Sequence, residues 1–177
     1  MKNVSSEVKG VIVPVITPVD ENENVDQPAF RKVIRRCLES GADGVFAGGS
    51  SGMGPLLTDQ QWRISMETAR EEVGTDSVLL GGVICTSSKI AVEKIRILEK
   101  IGFRHIAVTP TYYITLTRDE QFLRHFDICR QATDMEMVVY NIPSCTNSEI
   151  PLRVIEKMAR GGCFKALKES SGDRGLF

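Results

Sequence analysis

Short apolar runs alternate along the chain with longer stretches in which apolar positions recur every three or four residues. The short runs are Val11 to Ile16, Gly44 to Ala47, Val78 to Val83, His105 to Val108, Glu136 to Tyr140 and Phe164 to Leu167, and each predicts a strand. Helical periodicity predicts helices over 27–40, 58–73, 88–101, 117–132 and 151–160. Local punctuation agrees with these assignments. Thr117 followed by Glu120 spells a capping box. Gly41, Gly74 and Gly102 stand just past helix ends, where a left-handed residue closes the last turn, and Pro151 suits a first helical turn. No linker or composition shift divides residues 1–177, so the beat of roughly 30 residues reads as successive βα units in one domain.

Two architectures share that rhythm, an open doubly wound sheet and a closed barrel, and both place ligands at the C-terminal ends of the strands. Length bears on the choice. A complete eight-unit barrel usually takes about 250 residues, and the chain has 177, which counts against a complete one.

Composition narrows the classes of function. Hydrophobic residues make up 42% and charged residues 25%, the balance of a globular domain rather than a disordered one. Lys and Arg number 22 against 23 Asp and Glu, for a net charge of -1. The densest basic stretch, Arg31, Lys32, Arg35 and Arg36, has helical spacing and reads as a solvated helix face, so nucleic acid is not an expected partner. Five cysteines with no CxxC pair argue against a disulfide framework and a zinc site, and fit a reducing cytoplasm. Pro14 and Pro18 interrupt the first apolar run, so it is no signal peptide, and no apolar stretch nears the ~20 residues of a membrane span. Neither GxGxxG nor GxxxxGK[ST] occurs, so a nucleotide cofactor has no support.

Chemistry-bearing residues gather where the strands are expected to end. After the second strand, Gly48-Gly49-Ser50-Ser51-Gly52 has the outline of an anion-binding loop, or of a plain tight turn. Tyr140 ends the fifth strand ahead of Asn141-Ile142-Pro143; taken alone, it reads first as a structural tyrosine with a satisfied hydroxyl. Strand parity puts Phe164, Ala166 and Lys168 on one face. On an interior face, desolvation would favour the uncharged amine that Schiff-base chemistry requires. On an outer one, the lysine would reach to water.

In this order the segments resemble the dihydrodipicolinate synthase and N-acetylneuraminate lyase family of pyruvate-dependent class I aldolases. The resemblance runs from Lys9 to the last residue. It rests on Thr17-Pro18, Gly49-Ser50-Ser51-Gly52, Val108-Thr109-Pro110 with Tyr112-Tyr113, Val139-Tyr140-Asn141-Ile142-Pro143, and Lys168-Glu169-Ser170-Ser171-Gly172-Asp173. The wording of Gly48 to Gly52, Val138 to Pro143 and Leu167-Lys168 is nearer the neuraminate-lyase branch. The resemblance implies a (β/α)8 TIM barrel, of which the chain carries about the first six βα units and stops after strand 6. It also implies a lysine-imine lyase without metal or organic cofactor, acting on pyruvate or another 2-oxo acid plus an aldehyde. Catalysis would fall to Lys168 as imine former and Tyr140 as proton relay. Tyr112 would complete the relay from a neighbouring subunit of a cytoplasmic homotetramer built as a dimer of dimers. Gly49, Ser50 and Ser51 would bind the substrate carboxylate.

Two departures stand out. Met53 replaces the glutamate that usually ends the glycine motif, and Cys145 stands where the synthase branch carries a carboxylate-gripping arginine. Since a thiol cannot form that bidentate pair, dihydrodipicolinate synthesis proper is the alternative activity, and a silent 2-oxo-acid-binding relative the alternative class.

Overall fold

The computed structural model describes residues 8–173. Six strands form one sheet in the order β1-β2-β3-β4-β5-β6: β1 (Ile12–Pro14), β2 (Gly44–Ala47), β3 (Val78–Val83), β4 (His105–Val108), β5 (Glu136–Asn141) and β6 (Ala166–Glu169). The pairs β1/β2, β2/β3 and β5/β6 are parallel. Between the strands run α1 (Gln27–Glu39), α2 (Asp59–Val73), α3 (Ser88–Ile101), α4 (Asp119–Gln131), α5 (Pro143–Thr146) and α6 (Leu152–Arg160). Among the described residues, no helix is long and apolar enough to cross a membrane.

The chain forms two compact units. Of the described residues, one unit holds 8–82 together with Ile97–His105; the other holds Val83–Arg96 together with 106–173. In the first, β2 is buried at every position, and Phe30, Ile34, Trp62 and Met66 are buried around it. Burial of such residues stabilises by roughly 1.5–3 kcal/mol each. Helix α1 starts because the Asp26 carboxylate accepts from the Ala29 amide at 2.9 Å and Pro28 presets its first turn. It is tied to α2 through Arg31–Glu71 and Arg35–Glu72 at 2.6 and 2.8 Å. In the second unit, α4 buries Phe122, His125, Phe126 and Cys129 on one stripe. Helix α6 buries Val154, Ile155 and Met158, and Arg153 grips Asp119 with two bonds of 2.6 and 2.7 Å.

Several boundaries differ from the periodicity. Strand β1 covers only Ile12–Pro14, although the Val15 amide still donates to the Phe46 carbonyl at 3.1 Å. Strand β6 lies two residues later than the apolar run, because pairing with β5 carries it through Lys168 and Glu169. The capping box before α4 is built one residue on: the Gln121 side chain, not Glu120, accepts from the amides of Thr117 and Arg118, both at 3.0 Å. Pro151 caps α6 rather than joining its first turn. The one-turn helix α5 has no periodicity to announce it.

One close approach fixes the loop after β2. A Cβ on Gly82 would stand 2.2 Å from the Gly48 carbonyl oxygen, and one on Gly54 2.0 Å from the same atom. Neither neighbour is a side chain that could swing aside. Gly82→Ala should therefore cost about 1–3 kcal/mol, the usual penalty for forcing atoms into packed space. Its urea midpoint should fall accordingly, and a midpoint equal to that of the native chain would refute the close approach.

Candidate active site at the strand ends

The loop after β2 is drawn into a tight coil by its own backbone. The Met53 amide donates to the Ser50 carbonyl and the Gly54 amide to the Gly49 carbonyl, each at 3.1 Å. The buried Thr17 hydroxyl adds a bond of 2.7 Å to the Gly52 carbonyl. Gly48 has φ +66°, where a side chain would also meet the Met66 Cε at 2.6 Å. Met53 takes a left-handed φ of 53° without being glycine, a conformation that ordinary side chains adopt at some cost. The outcome is a rigid turn with Gly49 buried, Ser50 half-buried and Ser51 exposed.

Strands β5 and β6 carry the second group of residues. Their register sets Tyr140 opposite Lys168 and Asn141 opposite Glu169. Directly opposed residues share a sheet face, and here the Lys168 Nζ lies 3.9 Å from the centre of the Tyr140 ring. The same Nζ donates to the Ser170 hydroxyl at 2.9 Å. Tyr140 is 2% exposed, whereas Lys168 is half-buried rather than enclosed. On the other parity, the fully buried Asn141 donates from Nδ2 to Glu169 at 2.8 Å and accepts from the Ile150 amide at 3.1 Å. The second Glu169 oxygen accepts from the Ser171 amide at 2.6 Å. Burial by itself would raise the Glu169 carboxyl, but the hydrogen bonds from Asn141, Ser171 and Ser170 together hold it below its ordinary value.

The third group surrounds the end of β4. The Tyr112 amide donates to the Cys85 carbonyl at 3.2 Å, and burial, with the Cys85 thiol adding to it, raises the Tyr112 phenol above its ordinary value. Tyr113 is left 79% exposed. Buried His125 bridges two elements: its Nε2 lies 2.9 Å from the Thr109 carbonyl and its Nδ1 2.9 Å from the Ser88 hydroxyl. A carbonyl only accepts, so Nε2 carries the proton, and a neutral ring then accepts at Nδ1 from Ser88. Thr109 Oγ1 is a buried hydroxyl without a hydrogen-bond partner.

Of the residues picked out by sequence, Lys168 and Tyr140 are in direct contact. Gly49, Ser50 and Ser51 share one loop in the first unit, and Tyr112 sits after β4 in the second. Sequence reading gave no role to Thr17, His125 or the Asn141–Glu169 pair. His125 does fall on the apolar stripe of α4, the one visible sign that its ring is buried. All five cysteines are free thiols, and burial pushes the Cys129 thiol up to about 12. Among the described residues, no group of three or more His, Cys, Asp or Glu side chains could hold a metal ion.

Comparison with known proteins bears on the family and the fold. The model of the dihydrodipicolinate synthetase family matches residues 7–176. An uncharacterized DapA-like lyase of Pyrococcus abyssi is 34% identical over 152 residues, covering 86% of the chain and 50% of that protein. N-acetylneuraminate lyase 2 of Escherichia coli is 32% identical over 171 residues, covering 94% of the chain and 55% of its own length. Among solved structures, the 2-keto 3-deoxygluconate aldolase of Picrophilus torridus superposes with a TM-score of 0.88 at 26% identity, over 96% of the chain and 61% of that protein. The fold is thus that of the TIM-barrel proteins of this family, and the chain spans about half the length of the curated relatives it matches.

Burial lowers the His125 imidazole below its ordinary value, against the pull of its bond to Thr109. An imidazole harder to protonate in the folded than in the unfolded chain makes stability highest above the ordinary value of 6.5. Stability then falls as pH drops from there through the folded value. Urea titrations between about pH 7 and 5 should show that decline. His125→Gln, which cannot titrate, should flatten it; an equal slope in the variant would remove His125 as its source.

Proposed function

Because the chain belongs to the dihydrodipicolinate synthetase family, whose members include lyases, we propose that it serves a carbon–carbon lyase acting next to a pyruvate unit through an imine on Lys168. The contact between the Lys168 Nζ and the Tyr140 ring, set by direct register between β5 and β6, is the observation that carries this reading. It brings a lysine amine onto the ring of a tyrosine, the two residue types an imine mechanism uses as nucleophile and as proton relay.

In the condensing direction, the free amine of Lys168 adds to the ketone carbon of pyruvate and water leaves, giving an iminium. Loss of a methyl proton turns the iminium into an enamine, whose carbon attacks the aldehyde. The new alkoxide takes up a proton, and hydrolysis releases the product and restores Lys168. Tyr140 is assigned the proton transfers. Ser50, Ser51 and the Gly49 backbone are assigned the substrate carboxylate, and Tyr112 the completion of the relay from a neighbouring subunit in a homotetramer. Cleavage runs the same steps backwards.

Cys145, at the position of the synthase arginine, offers no bidentate guanidinium and favours a sugar-acid substrate over dihydrodipicolinate synthesis. The relatives carry the names N-acetylneuraminate lyase and 2-keto 3-deoxygluconate aldolase as well as 4-hydroxy-tetrahydrodipicolinate synthase, so the choice among them rests on Cys145. A second reading, binding of a 2-oxo acid without turnover, draws its support from Met53 and its left-handed backbone.

Borohydride added with pyruvate should fix the ketoacid on Lys168, as read by peptide mass mapping. An adduct at another lysine, or none, would sink the assignment. Lys168→Ala should lower kcat/KM at least about a thousandfold, and Tyr140→Phe roughly 10²- to 10⁴-fold. Exchange of the pyruvate methyl protons with solvent separates turnover from silent binding, since only the enamine-forming protein supports it.

A further inference from the structure

We infer that Glu169, held by the buried amide of Asn141, is a positioning residue that locks the end of β6 and sets Lys168 over the Tyr140 ring; this rests on the Lys168 reading above. Lys168 and Glu169 are neighbours on opposite faces of one strand, so whatever fixes the peptide plane between them orients both side chains. Beyond their pairing with β5, the last three residues of β6 and its turn lie toward the surface. Leu167 is 37% exposed, and Glu169, Ser170 and Ser171 are half-buried, so core packing does not immobilise this end.

Polar contacts take its place. Asn141 supplies two of them: its backbone carbonyl accepts from the Ser170 amide at 2.9 Å and its Nδ2 donates to one Glu169 oxygen at 2.8 Å, while its Oδ1, accepting from the Ile150 amide at 3.1 Å, fixes the amide itself. The other Glu169 oxygen accepts from the Ser171 amide at 2.6 Å, which closes the turn over Ser170. Ser170 is the residue whose hydroxyl accepts from the Lys168 Nζ at 2.9 Å. One carboxylate thus secures both the strand carrying the amine and the turn carrying that amine's hydrogen-bond partner. The chemistry demands an acceptor at both oxygens, which the ionised carboxylate supplies and an amide does not. The depression of the Glu169 carboxyl noted above accords with that ionised state.

The test follows Lys168 directly. With lysine carrying ¹³C at Cε, the Lys168 resonance is identified by its loss in Lys168→Arg. In the native protein its Cε protons should be shifted upfield by the Tyr140 ring current. In Glu169→Gln, whose NH₂ must face either the Asn141 Nδ2 donor or the Ser171 amide donor and can accept from neither, that shift should collapse toward the value of solvated lysines. The rate of borohydride-trapped pyruvate incorporation should fall roughly ten- to hundredfold, the usual scale for a lost charge-assisted bond, through kcat more than KM. Asn141→Asp, which faces Glu169 with a second carboxylate, should act in the same direction. A Lys168 shift retained in Glu169→Gln overturns the proposal, whether or not pyruvate is trapped. Where the native protein does trap pyruvate, a lost shift with an unchanged trapping rate overturns it as well. If the native protein forms no pyruvate adduct while the shift is lost in the variant, the lock stands and the imine reading falls.

Discussion

An amide side chain with no exposed surface must have its donors and acceptor met by protein, since an unmet buried group costs on the order of 1–3 kcal/mol. Asn141 meets that requirement by bonding to Ile150 ahead of α6 and to Glu169 at the end of β6. Two segments distant in sequence are thereby pinned to the mouth of β5. The register that follows puts Tyr140 beside Lys168, and the polar chemistry of the second unit depends on that alignment. A slip of one residue would send Lys168 to the opposite face of the sheet.

The first unit solves a similar problem with backbone rather than side chains. Its loop after β2 presents hydroxyls on a turn too tight for Cβ atoms at Gly48, Gly54 or Gly82. Thr17, from the segment after β1, ties the loop at the Gly52 carbonyl. The arrangement is stiff at Gly54 and Gly82 because the atoms a Cβ would meet there are Gly48 backbone, which cannot rotate away. At the end of β4 a neutral imidazole does comparable work: His125 ties α4 to the Thr109 carbonyl and α3 to itself through Ser88. Three strand ends are therefore braced in three ways, by an amide–carboxylate pair, by a glycine coil and by a histidine.

Much of the fold was legible beforehand because it rests on period alone. Strands β2, β3 and β4 match their apolar runs residue for residue, and the helices α1 to α4 lie within or close to the periodic stretches. The errors fall where local pattern yields to partners. β6 is displaced toward Lys168 because β5 determines which residues pair, and a solitary apolar run contains no register. The cap of α4 moves from Glu120 to Gln121 because the helix starts two residues later than its periodicity. Helix α5 is a single turn, shorter than any repeat that periodicity can register.

Sequence by itself determined the βα alternation, the family motifs and the residues to which the proposed chemistry is assigned: Lys168, Tyr140, Tyr112, Gly49, Ser50 and Ser51. Those follow from local spacing and from ordered motifs, which need no third dimension. Tertiary structure alone decided that Lys168 is half-buried above the Tyr140 ring, that its partner is Ser170, and that Asn141 and Glu169 brace both. Such contacts join residues up to 28 positions apart. Their geometry is fixed by which buried groups must satisfy one another, a condition that appears only when strands meet.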